Sequence, residues 1–185
     1  HNNESPLESV CGIYPISIAA REGNLNFLKK LRPFIKIEEL QTMCKDRLSP
    51  LHLAAANTNN EMVIRYLIDE YKIPINTQSR SKTTPILSAA RMKRTDTVSI
   101  LLKLGADPNI PDMYGQVPLH WAARNDNDTM ALSLVKHGAL TNMTHIEFAT
   151  AIDIAEYLKS FKVLDLLKDW NAYKKTPHSL TKRFT

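Results

Sequence analysis

Two histidines stand at the same place in a recurring phrase, Ser49-Pro50-Leu51-His52 and Val117-Pro118-Leu119-His120. An imidazole can carry protons or ligate a metal near neutral pH. Either role needs company at fixed spacing: a nucleophile with an orienting group, or further ligands. The sequence supplies neither. It has no glycine-rich phosphate loop, no HExxH, no nucleophile elbow and no CxxC pair. His137 falls in the last turn of an expected helix, where a cation suits the dipole. Asp126 and Asp128 sit in a turn without His or Cys beside them and read as solvated acids. Cys11 and Cys44 read as two free thiols of a reducing, cytoplasmic compartment. No catalytic centre, metal or cofactor is expected.

The phrase that carries the histidines is the stronger signal. Gly12 to Ala20, Ser49 to Ala55, Thr84 to Ala90, Val117 to Ala123 and Thr150 to Ala155 are versions of one motif. The anchors Pro15, Pro50, Pro85, Pro118 and Ala151 lie 35, 35, 33 and 33 residues apart. A fixed period of this size means stacked supersecondary units. A hydroxyl residue before proline is a helix start: the side chain caps an orphan N–H, and proline at the first position sacrifices no hydrogen bond. Paired alanines, such as Ala89-Ala90, let two helices approach closely.

A second helix follows each phrase. Apolar residues recur thirteen and sixteen positions after the anchor: Leu28 and Leu31, Val98 and Leu101, Ala131 and Leu134, Leu164 and Leu167. Ile64 and Leu67 join the series if one residue is inserted in the turn Asn57 to Asn60. Three-residue spacing puts each pair on one helix face. Gly105 and Gly138 just beyond these helices are stop signals. The Asp-, Asn- and Gly-containing segments after them predict projecting turns or hairpins. The fold expected is an all-α right-handed solenoid of five helix–turn–helix units.

Thr-Pro-Leu-His-x-Ala-Ala followed by Leu-Leu-x-x-Gly-Ala-Asp-x-Asn, at a 33-residue period, resembles the ankyrin repeat over Gly12 to Trp170. The units fall near 12–46, 47–81, 82–114, 115–147 and 148–170, with a lead-in at 1–11 and a tail or linker at 171–185. Repeat one departs from the pattern over Pro33 to Cys44, with a short helix expected around Glu38 to Met43. Repeat five resembles a terminal cap. The resemblance implies that His52 and His120 make hydrogen bonds between repeats and that Trp121 packs in the core. It also likens Asn109 to hairpin asparagines that are hydroxylated in some intracellular members.

In such proteins the residues after Ala-Ala, with those preceding Thr-Pro, line a concave groove. The first position after the alanines reads Arg21, Ala56, Arg91, Arg124 and Glu156. The hairpin positions add Arg80, Met113 and Tyr114, and the following helical positions add Met92 and Asn125. Arg is suited to carboxylate or phosphate recognition by its bidentate fork. These seven residues, Arg80, Arg91, Met92, Met113, Tyr114, Arg124 and Asn125, are therefore the candidate surface for an acidic segment of a protein partner. Ordinary solvated arginine is the alternative.

The 185 residues carry a net charge of +5. Lys174, Lys175, Lys182 and Arg183 place +4 of it after residue 170, leaving +1 for the rest, so the basic balance does not argue for nucleic acid. The chain starts at His1 and reads as a piece of a longer protein, with a monomeric state expected. The family resemblance implies a non-catalytic scaffold or adaptor segment. It also allows a regulatory segment of a larger enzyme, such as a membrane palmitoyltransferase, or a pathogen effector module.

Overall fold

The computed structural model describes residues 15–37, 40, 48–57, 60–147 and 149–175. The helix expected around Glu38 to Met43 lies, apart from Leu40, outside them. Ten α-helices and one 3-10 turn are found among the described residues, and no strand. The inner helices are α1 (Pro15–Glu22), α3 (Pro50–Asn57), α5 (Pro85–Arg91), α7 (Pro118–Arg124) and α9 (Ala151–Leu158). The outer helices are α2 (Leu25–Leu31), α4 (Glu61–Asp69), α6 (Thr95–Lys103), α8 (Asp128–Lys136) and α10 (Phe161–Lys175). Each inner helix packs on the next, and α2 on α4, α6 on α8 and α8 on α10. The result is the expected all-α repeat stack.

Local chemistry explains where each helix begins and ends. Thr84 caps α5 by accepting the Leu87 N–H, and Thr150 caps α9 by accepting that of Asp153. Asn24, Asn60 and Asn127 cap outer helices in the same way. Inner helices stop at a residue eight past the anchor: Gly23, Lys93, Asp126 and Lys159, with φ of 71°, 59°, 46° and 57°. The next N–H then returns to the carbonyl five residues back, as in Asn24 to Ala19 and Asn127 to Ala122. The eight paired alanines are at most 1% exposed, so helix backbones meet without intervening side chains. The core runs unbroken along the stack through Leu28, Leu67, Leu101, Leu134 and Leu167.

The hairpins between units repeat in one register. Ser79 donates to Thr83, Asp112 to Gln116 and His145 to Ala149 across each hairpin. Neighbouring hairpins are tied by Met113 N–H to Ser81 O and Ile146 N–H to Tyr114 O, both 3.0 Å. Gly115 sits where they press together. Its φ is +75°, and a Cβ there would meet the His145 Cα at 3.0 Å. Gly115→Ala is expected to cost about 1–2 kcal/mol from the left-handed backbone alone. Urea unfolding monitored by circular dichroism would measure it, and an unchanged midpoint would refute the left-handed conformation at Gly115.

Repeat two replaces its glycine turn with an aromatic anchor. Tyr71 is fully buried, and its hydroxyl donates to the Leu28 carbonyl at 2.8 Å. Arg32 lies over its ring at 5.6 Å and donates to Glu70 O. This bridge joins units one and two. At the other end α10 continues to Lys175, beyond Trp170 where the array was expected to stop and its tail to begin. Thr141 donates to the Asn171 side chain at 2.9 Å, so the first residue of the expected tail is docked on the hairpin of unit four.

Candidate functional site

The histidines that could have done chemistry are committed to the fold. His52 Nδ1 accepts the Ser49 N–H at 3.1 Å, and Nε2 donates to Thr83 O at 2.7 Å. His120 repeats the arrangement with the Val117 N–H at 3.0 Å and Met143 O at 2.9 Å. Each ring therefore closes its own helix start; His52 also staples the next unit, whereas the Met143 carbonyl bonded by His120 belongs to the same unit rather than the next. Burial is the main cause that pushes His52 down to about 4 and also lowers His120. Asp126 Oδ1 accepts the Val163 N–H, and Asp128 the Thr129 N–H. Exposed His137 bonds Ser133 O at the end of α8. Among the described residues no three His, Cys, Asp or Glu side chains are placed to hold a metal.

The groove forms between two walls: the ends of the inner helices and the hairpin tips. The left-handed residues eight past the anchors, Gly23, Lys93, Asp126 and Lys159, fix the register of the first wall. It makes Tyr157, not Glu156, the counterpart of Arg91 and Arg124. Glu156 instead stands where the other units carry their second alanine, and it pairs with Lys168 at 3.0 Å. Sequence alignment on Ala155 misses this because the terminal unit lacks the second alanine.

The predicted surface divides into two clefts. The first, about 450 Å³, is lined by Leu48, Ser79, Arg80, Ser81, Thr83, Arg91 and Met113. Among the described residues neither Arg80 nor Arg91 forms an ion pair. Hydroxyls line its floor: Ser79, Ser81 and Thr83 are linked at 3.0 Å spacings. The second cleft, about 440 Å³, holds Arg124 with His145, Glu147, Asp153, Ile154, Tyr157 and Leu158. The Arg124 guanidinium lies 5.5 Å from the centroid of the half-buried Trp121 ring. Arg91 and Arg124 thus occupy neighbouring clefts rather than one.

Met92 and Tyr114 are exposed but line neither cleft. Asn125 caps α7 and donates to Trp121 O at 2.8 Å, so its amide nitrogen serves the helix end. Asn109 has both ends of its side chain engaged across units. Its Nδ2 donates to Gly138 O, and its Oδ1 accepts the Leu140 N–H at 2.8 Å. The repeat pattern already puts Glu147 and Tyr157 at groove positions of the last units; Asp153 is the member of the second cleft that sequence reasoning missed.

A family model described as ankyrin repeats (three copies) matches residues 16–112 and 72–145. The chain belongs to the ankyrin repeat family. Inversin of Canis lupus familiaris is 28% identical over 168 residues, which are 85% of this chain and 15% of that protein. An ankyrin repeat protein of fowlpox virus (strain NVSL) is 33% identical over 146 residues, 76% of this chain and 42% of its own length. The human transient receptor potential cation channel subfamily A member 1 is 32% identical over 126 residues, 64% of this chain and 11% of the channel. This chain therefore spans a minor part of each of these relatives. Ankyrin repeats are non-catalytic modules that mediate protein–protein interaction. Among the described residues no helix is long and apolar enough to cross a membrane.

Proposed function

We propose that this ankyrin array is a non-catalytic interaction module whose concave groove binds an acidic segment of a protein partner. The observation that carries the reading is the first cleft, where Arg80 and Arg91, without an ion pair among the described residues, stand beside exposed Met113. Two guanidinium forks over a hydroxyl-lined floor match the acceptors of carboxylates. Met113 supplies adaptable apolar contact.

The test uses the partner recovered by affinity capture on the intact chain. Arg80→Ala with Arg91→Ala is expected to weaken its binding by about 2 kcal/mol or more, because paired interface arginines are costly to truncate. Binding should also weaken between low and physiological salt, since exposed charges are screened over about 8 Å. Unchanged affinity in a folded double variant would move the site elsewhere, to the hairpin tips around Asn109 or to the basic tail.

A further inference from the structure

The two clefts differ in sign. Among the described residues of its lining, Arg80 and Arg91 give the first a charge of +2, and none is acidic. The second carries Glu147 and Asp153 against Arg124, a net −1. Arg124 is also drawn over Trp121. Tyr157, 87% exposed, offers an open aromatic face beside the two carboxylates. A carboxylate pair next to an aromatic face is a cation site in chemistry. The Asp153 carboxylate is held ionised by the Thr150 hydroxyl and N–H, both at 2.7 Å.

We propose that the groove is polarised to bind one extended peptide segment in one direction. An acidic side chain of the partner enters the Arg80–Arg91 cleft, and a basic side chain enters the Glu147–Tyr157 cleft. The separation follows from the stack. Arg91 and Tyr157 occupy equivalent positions two units apart, and packed helices lie about 8–10 Å from each other. The span is roughly 16–20 Å, which an extended chain at about 3.3 Å per residue crosses in five to six residues. Reversing the peptide would set acid against Glu147 and base against Arg91, and that mismatch supplies the directional preference. The inference rests on the reading of the groove as the binding surface and adds the partner's charge order.

The experiment selects a random peptide library on the intact chain and on two double variants, with circular dichroism confirming that each is folded. The wild type is expected to enrich an acid and a base at about this separation, in one order. Glu147→Lys with Tyr157→Ala should keep the acid, lose the base and weaken the enriched peptide by about fivefold. Arg80→Ala with Arg91→Ala should do the converse. Enrichment of acids alone, or of both orders equally, would overturn the polarity while leaving the acidic-partner reading intact. Peptides that retain full affinity for the Arg80/Arg91 variant, or a wild-type chain that enriches none, would overturn both.

Discussion

Leu134→Ala, and separately Leu101→Ala, should each lower the unfolding free energy by about 2–5 kcal/mol. Both side chains are fully buried. Leu101 lies on α6 and Leu134 on α8, outer helices that pack on each other inside the stack. A cavity at either site therefore weakens a unit and its shared interface together, because stability in repeat arrays is a sum over units and nearest-neighbour contacts. Leu140→Ala is the control, since Leu140 is 45% exposed and its truncation should cost far less. Urea unfolding followed by circular dichroism reads all three. A loss under about 1 kcal/mol at both buried sites would contradict the core described above.

Acid should destabilise the array well before its carboxylates titrate. Folding holds His52 at about 4, against an ordinary value of 6.5. Above pH 6.5 the ring is neutral in both states and contributes no pH dependence. As pH falls from 6.5 towards 4, the unfolded chain binds a proton that the folded chain refuses, and stability drops. Below the folded value the loss is complete and levels off. At pH 5 His52 alone accounts for about 2 kcal/mol. His120 is shifted in the same direction and adds to it. The measurement is the urea midpoint at pH 7.5 and pH 5, for the wild type and for His52→Gln. The variant should be weaker at the higher pH yet show a smaller loss on acidification. Equal acid losses in both proteins would show that His52 does not carry the effect.

These two results probe features that the sequence exposes to different degrees. The leucines are legible because a buried helix face must recur at helical spacing in every unit. The histidines are legible only as a repeated position. That each ring bonds its own helix start, that His52 also bonds the next unit's carbonyl and that His120 instead bonds one of its own unit depends on how the segments pack. The groove shows the same division. Its arginines could be aligned by period, but Arg91 and Arg124 fall into separate clefts, and Asn125 bonds its own helix end. Glu147 and Asp153 arrive from a hairpin and a helix start that come together only when units four and five stack.

Sequence alone determined the class of fold, the period, the helix starts at Thr84 and Thr150, and the core leucines. Each of these follows from local rules: a capping oxygen, a proline at a first helical position, and apolar residues on one face. Tertiary structure alone decided the extension of α10 to Lys175 and the Tyr71 anchor that replaces a glycine turn. It also decided the partition of the groove into a basic and an acidic cleft. Those features are set by contacts between units, and residues 30 to 40 positions apart meet there for a reason that no single repeat contains.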